Sequence, residues 1–246
     1  MIKPTSLDWL SDKPFAHRGL HHAGRGIAEN SLTAFRGAAK QQIGIELDVR
    51  LSADGEAMVF HDEMLDRLTA ERGRMDAHTA HGLSHIRLFG AQDDRISTLT
   101  NALAIVRGRV PVLVEMKDCG EQNIRLCIAV RRALEGYGGP IAVMSFNPEI
   151  PAWFAKTAPH ITRGLVTTDL APRYGVIKSG GLNHSLNMRR AKAQFIAHDL
   201  RCLPSAFVAR QRKKAIPTLS WTVRSKTDTD KARAHVDNLI FELETK

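Results

Sequence analysis

Apolar residues in this chain gather into short runs separated by longer stretches of mixed polarity. The run "IGIELDVRL" (43–51) sets the pattern: Ile45, Leu47, Val49 and Leu51 alternate, as one buried face of a strand requires. Comparable runs at 14–19, 110–117, 140–146, 161–167, 195–200, 216–223 and 238–243 bring the predicted strands to eight. The stretches between them predict seven helices, over 31–42, 97–108, 121–136, 148–158, 183–194, 205–215 and 228–236. Ser97, Asn147 and Ser205 stand at three of their starts as N-caps. Strand and helix alternate nearly throughout, which implies parallel pairing through right-handed crossovers. Eight such strands predict closure into a (β/α)8 barrel of the TIM type. An open doubly wound sheet is the alternative, weakened because no glycine-rich phosphate loop follows an early strand.

Two irregularities modify this plan. Residues 52–96 separate the second strand from its helix and are too many for a simple loop. They hold a short strand, "AMVFHD" (57–62), and a polar, histidine-containing stretch, and read as an insertion over one end of the barrel. Only three residues follow "FEL", so no eighth helix of usual length is expected, and the N-terminal segment is expected to cover that flank. No repeat, low-complexity tract or linker divides the chain. Residues 1–246 read as one domain with 52–96 inserted within it.

Composition narrows the setting more than the chemistry. An apolar content of 43% suffices for a large core. A formal charge of +9 and a pI near 9.8 favour anionic partners, whether nucleic acid, an anionic membrane surface or a phosphorylated substrate. The basic runs Arg189-Arg190-Lys192 and Arg210-Arg212-Lys213-Lys214 fall on predicted outer helices and read as solvated faces. With aromatics at 6%, the stacking platform that nucleic acid requires is not expected. Cys119, Cys127 and Cys202 form no CxxC pair, which fits a reducing compartment. The N-terminal "MIKPTSLDWLSDKP" lacks the apolar core of a signal peptide, and no run approaches the length of a membrane span. The expectation is a soluble cytoplasmic protein.

The candidate chemistry lies at strand ends. Glu46 and Asp48 are two residues apart and share a strand face, and "VLVEMKD" repeats the device with Glu115 and Lys117. In a parallel barrel the strand ends open into the C-terminal mouth, where three carboxylates would converge. Like charges that close raise one another's pKa unless a cation sits among them. An all-oxygen donor set suits Mg²⁺ or Ca²⁺ better than zinc. The structural alternative is a buried ion-pair network in which Lys117 and Arg50 balance the acids. The first strand ends "AHRG", where Gly19 permits a tight turn. His17 and, after the acids, His61 can share acid and base work near neutral pH. Arg18 offers a planar fork and Lys117 a point charge for phosphate oxygens. Trp221 stands near the end of the seventh strand, to line a ligand or simply to pack.

Taken together, "FAHRGLHHAGRGIAENSLTAF", "IELDVRLSADGEAMVFHDEMLDRLT", "ISTLTNAL", "VLVEMK", "VMSFNPE" and "PTLSWTVRS" resemble the glycerophosphodiester phosphodiesterase family. The resemblance runs in order from about residue 14 to 240. It implies a (β/α)8 barrel with an insertion after strand two, and cation-dependent hydrolysis of glycerophosphodiesters to sn-glycerol 3-phosphate and an alcohol. By motif it implies Glu46, Asp48 and Glu115 as ligands of one divalent cation, Mg²⁺ or Ca²⁺. It makes His17 and His61 the acid–base pair, Arg18 and Lys117 phosphate contacts, and Trp221 a pocket wall. Two departures are visible. Ala28 stands where the family has a proline, and the last strand reads "NLIFEL", with Glu242 a replacement for the usual acid.

Other readings compete with this one. A lysophospholipase D or sphingomyelinase D-like enzyme wants an apolar rim, for which the insertion offers only Leu83, Ile86, Leu88 and Phe89. A noncatalytic barrel that binds phosphate esters would have no use for the intact histidine and acid set. His78, His81 and His85 have helical spacing for zinc, but Gly82 weakens the helix and no nearby ligand completes the set. The expected partner is a small glycerophosphodiester, with neither nucleic acid nor membrane insertion. The flank without a helix leaves room for a second copy of the chain, as a homo-oligomer.

Overall fold

The computed structural model describes residues 6–170 and 181–243. Eight parallel strands close into a barrel: β1 (Phe15–Ala16), β2 (Gly44–Leu51), β5 (Val112–Met116), β6 (Ile141–Ser145), β7 (Thr162–Thr167), β8 (Phe195–Asp199), β9 (Thr218–Val223) and β10 (Asn238–Phe241). Pairing of β1 with both β10 and β2 completes the circle. Helices α2 (Leu32–Lys40), α4 (Leu99–Val106), α5 (Asn123–Ala133), α6 (Glu149–Thr157), α7 (Gly181–Ala191), α8 (Ala206–Lys213) and α9 (Lys226–His235) connect the strands. The open-sheet alternative is thereby excluded.

Strand alternation sorts the side chains into two layers. Ile45, Leu47 and Val49 of β2 and Val112, Val114 and Met116 of β5 point outward onto α2, α4 and α5. Leu113, Ala142, Met144, Val166, Phe195, Ala197, Leu219 and Ile240 form a second apolar cluster, the lumen packing. Glu46, Asp48 and Glu115 belong to the inward set, one layer nearer the strand ends. The register pairs Ala16 with Ile45 and Asp48 with Glu115, so His17, Glu46, Asp48 and Glu115 gather on adjoining strands.

The insertion builds a ledge from β2. Strands β3 (Ala57–Val59) and β4 (Ser97–Thr98) extend β2 antiparallel, and the short helix α3 (Ala80–Leu83) lies between them in sequence. Met58, Phe60, Leu65, Met75, Leu83, Leu88 and Ile96 give it a small core of its own, with Ala28. Leu83 and Leu88 are therefore buried, and Phe89 is the exposed member of the predicted apolar rim.

Several local expectations are corrected. The first strand shrinks from 14–19 to two residues because Arg18 and Gly19 both take positive φ, 57° and 79°, and turn the chain. Ser97 lies in β4, and Thr98 caps α4 instead by accepting from Asn101 N (3.2 Å). Asn147 stands one residue before the α6 cap, yet its Oδ1 still accepts from Glu149 N (3.0 Å). Ser205 caps α8 as expected. The described part of the N-terminal segment, residues 6–13, lies at the base of the barrel against the start of β10. Its helix α1 (Trp9–Asp12) puts Leu10 under the lumen packing and Trp9 beside the starts of β6 and β7. The expectation that no eighth helix follows β10 concerns residues 244–246, which lie outside those described. Among the described residues, no helix is long and apolar enough to cross a membrane.

Candidate active site

At the C-terminal end of the barrel, a cleft of about 380 Å³ brings together His17, Arg18, Glu46, His61, Glu115, Lys117 and Trp221. Asp48 lies directly beneath, fully buried. A larger hollow of about 660 Å³ opens at the other end of the barrel, by Trp9 and Gly136–Ile141. It holds no cluster of carboxylates, so the smaller cleft is the chemical one. All eight residues singled out from sequence meet in this one place.

One ligand oxygen each from Glu46, Asp48 and Glu115 lies within 4.8 Å of the others, and all three residues are buried. Two cations sit beside them. Lys117 Nζ is 2.7 Å from Asp48 Oδ1 and also hydrogen-bonds Glu115. Arg18 Nε is 3.2 Å from Asp48 Oδ2, and its Nη1 is 2.7 Å from Glu29. Arg50, expected as the second balancing charge, instead donates to the His61 carbonyl (2.7 Å). Asn30, at φ 55°, donates to Asp48 Oδ2 (2.8 Å) and accepts from Asp48 N (3.2 Å).

These neighbours split the acids. Burial pushes the Asp48 carboxyl up, but Lys117 and then Arg18 outweigh it and hold it well below the usual range. Burial also raises Glu46, and there Asp48 and Glu115 add to it, so its carboxyl lies well above the usual range. Glu46 Oε2 accepts from Arg18 N (3.0 Å), while Oε1 is buried without a hydrogen-bond partner. Three carboxylates thus face two cations, and the uncompensated one carries an orphaned oxygen. That is the environment a hard divalent cation fits: all-oxygen donors, one of them unsatisfied and short of positive charge. Glu46, Asp48 and Glu115 are the residues that would hold it.

Each histidine has a carboxylate behind it. His17 Nδ1 is 2.6 Å from Glu242 Oε1, which leaves Nε2 turned inward, 3.9 Å from Glu46. His61 Nδ1 is 2.5 Å from Asp62 Oδ1. Burial and Lys117 hold the His61 imidazole below the usual histidine range against the pull of Asp62. Burial pushes the Glu242 carboxyl up, but hydrogen bonds with His17 and Arg224 outweigh it and bring it down to about 2. Arg67 bridges Asp62 (2.5 Å) and Glu29 (2.8 Å), so an ion-pair chain runs from His61 to Arg18. Trp221 stacks edge-on against Phe146 at 5.6 Å, and its indole N–H donates to the Ala197 carbonyl (3.1 Å).

Sequence reading missed several cleft residues. Phe146, Asp199, Arg201 and Arg224 line the same cleft. Asp199 and Arg201 flank the end of β8, and the available signal was an acid closing the run "FIAHDL".

The family model described as the glycerophosphoryl diester phosphodiesterase family matches residues 17–242. The chain belongs to this family. A glycerophosphodiester phosphodiesterase of Caldanaerobacter subterraneus is 26% identical over 237 residues, which is 92% of this chain and 91% of that one. One from Bacillus altitudinis is 31% identical over 168 residues, 64% of this chain and 67% of the relative. Among solved structures, an Oleispira antarctica phosphodiesterase in complex with the product sn-glycerol-3-phosphate shares the fold. Its TM-score is 0.80 at 20% identity, over 94% of this chain and 92% of the other. A glycerophosphodiester phosphodiesterase from Agrobacterium tumefaciens aligns at TM-score 0.68 and 26% identity, over 95% and 96%. The chain is accordingly a phosphoric diester hydrolase of the glycerophosphodiester class.

Proposed function

We propose that this enzyme hydrolyses glycerophosphodiesters to sn-glycerol 3-phosphate and an alcohol, with one divalent cation held by Glu46, Asp48 and Glu115. The observation that carries the reading is two imidazoles, each backed by its own carboxylate, in one cleft with three buried acids. A diester monoanion repels nucleophiles and must release an alkoxide. Arg18 and Lys117 offset charge on the phosphoryl oxygens. A Mg²⁺ or Ca²⁺ held by Glu46, Asp48 and Glu115 would supply Lewis-acid stabilisation of the charge that develops on the phosphoryl group. One histidine takes the proton of the nucleophile, which is either water or the neighbouring glycerol hydroxyl of the substrate, and the other delivers a proton to the leaving oxygen; after hydroxyl attack, water then opens the cyclic phosphate to glycerol 3-phosphate. Glu242 and Asp62 fix the two rings by holding each Nδ1, so Nε2 is the atom that moves protons. Trp221 and Phe146 form the apolar wall against which the carbon skeleton of the substrate lies.

Glycerol 3-phosphate release from glycerophosphocholine is the direct test. Turnover is expected to need Mg²⁺ or Ca²⁺ and to stop with EDTA. His17→Ala and His61→Ala are each expected to lower kcat about 100-fold or more while the far-UV spectrum stays unchanged. A folded variant of either kind with near-normal turnover would remove that histidine from the reaction. The long-chain reading loses ground because Leu83 and Leu88 are spent on the insertion's own core.

A further inference from the structure

Outside the cleft, on the helix side of the barrel wall, a second set of side chains converges that hydrolysis does not use. His198 is on β8 but points outward, towards α7 and α8, and its ring is fully buried. Its Nδ1 is 2.8 Å from Thr167 Oγ1. Its Nε2 is buried and has no hydrogen-bond partner. The nearest acid oxygen, Asp169 Oδ2, is 3.8 Å away, too far for a hydrogen bond. Donor atoms of His198, Asp169 and Cys202 all lie within 4.8 Å of one another.

We propose that His198 Nε2, Cys202 Sγ and Asp169 Oδ2 form a site for a zinc-class transition-metal ion, with water in the fourth position. The donor set is mixed nitrogen, sulfur and oxygen, which suits a borderline-soft ion and not Mg²⁺ or Ca²⁺. Zinc bonds of about 2.0–2.3 Å in a tetrahedron put donors about 3.3–3.8 Å apart. The 3.8 Å gap between His198 and Asp169 exceeds what a nitrogen–oxygen pair needs by a few tenths of an ångström, which a small turn of the exposed Asp169 closes. A proton on Nδ1, accepted by Thr167, leaves the lone pair on Nε2, as ligation requires. His184 Nε2 is 2.7 Å from Asp169 Oδ1 and orients the carboxylate from behind. The Asp169 backbone N–H donates to Cys202 Sγ (3.3 Å) and fixes where the sulfur lies. Asp169 is exposed and gives the ion a route in.

The consequence reaches the cleft without touching the reacting atoms. Asp199, Leu200 and Arg201 lie between His198 and Cys202 and form part of the cleft wall. An ion bound at both ends of that turn pins the wall in place.

Cobalt(II) on the full, reduced, metal-free chain tests the site, because a thiolate ligand gives a near-ultraviolet charge-transfer band that oxygen ligands do not. One equivalent of Co²⁺ is expected to produce the band. Zn²⁺ should abolish it, and excess Mg²⁺ or Ca²⁺ should leave it. Cys202→Ser should remove the band, and His198→Gln should weaken Co²⁺ binding at least tenfold. Cys119→Ser and Glu46→Gln should keep it, the second showing that it is independent of the hydrolytic cleft. Absence of the band in the wild type, or its survival in Cys202→Ser, overturns the proposal. Cys202 is half-buried and serine keeps its shape, so this arm decides even if His198→Gln does not fold.

Discussion

Glu46 sits in an unresolved electrostatic conflict. It is buried with one oxygen unpartnered, beside Asp48 and Glu115, and the side chains of the two nearby cations pair with Asp48, Glu115 and Glu29 instead. In metal-free protein the ionised carboxylate therefore opposes folding. Glu46→Gln should raise stability in EDTA at neutral pH, by on the order of 1 kcal/mol, since an amide of the same shape removes an uncompensated charge. The same variant should be inactive and should gain nothing from Mg²⁺ or Ca²⁺ in thermal melts, whereas the wild type gains. A wild-type protein already more stable than the variant in EDTA would contradict this account. Glu242 is the opposite case. Its carboxyl is brought down to about 2 by His17 and Arg224. A depressed acid stabilises the fold above its unfolded value, and that contribution is lost as pH falls through the folded value. The stability difference between wild type and Glu242→Gln should thus be full above about pH 4.5 and vanish towards pH 2. Denaturant curves at stepped pH measure it; a difference that persists at pH 2 would assign Glu242 another role.

At the scale of single elements, the strand pattern carried most of the information. Alternation in β2 separates the outward Ile45, Leu47 and Val49 from the inward acids, and the register with β5 then sets Asp48 against Glu115. Residues adjacent in sequence were therefore legible, including His61 beside Asp62. What was not legible depends on distant partners. Glu242 meets His17 across 225 positions, and the Arg18–Glu29–Arg67–Asp62 chain joins three separate segments. Gly164, inside the run "ITRGLVT", shows why a strand glycine resists reading from sequence alone. It pairs with Phe195, and a Cβ there would meet the ring at 2.3 Å. The missing side chain makes the space for Phe195, as Gly44 does for Phe15 on the facing strands. Gly164→Ala should cost about 1–3 kcal/mol through overpacking. Pairing it with Phe195→Leu should recover part of the loss. An additive double mutant in urea unfolding would place the cost in the backbone and not in this contact.

Over the whole molecule, the two ends of the barrel do different work: the mouth is crowded with charge, and the lumen towards the base is filled by apolar packing. Closure brings the first and last strands together, and the N-terminal segment seals the lumen below them. Leu10 is fully buried there against the lumen cluster. Asn238, at the start of β10, holds the segment by donating to the carbonyls of Leu10 (2.6 Å) and Lys13 (2.7 Å). No apolar pattern in the first residues marked this seal, because a helix as short as α1 shows no period and its anchor lies on the last strand. Asn238→Ala leaves two carbonyls without their donor and should destabilise by about 2–3 kcal/mol. Leu10→Ala opens a cavity and should cost about 2–5 kcal/mol. Both changes lie at the opposite end from the cleft, so kcat measured well below the melting temperature should stay within about twofold, a difference of about 0.4 kcal/mol in the barrier. Denaturant unfolding and steady-state assays on the same preparations separate the two quantities. A large fall in kcat with unchanged stability would mean that the seal at the base is coupled to the mouth, and that the barrel transmits strain along its axis.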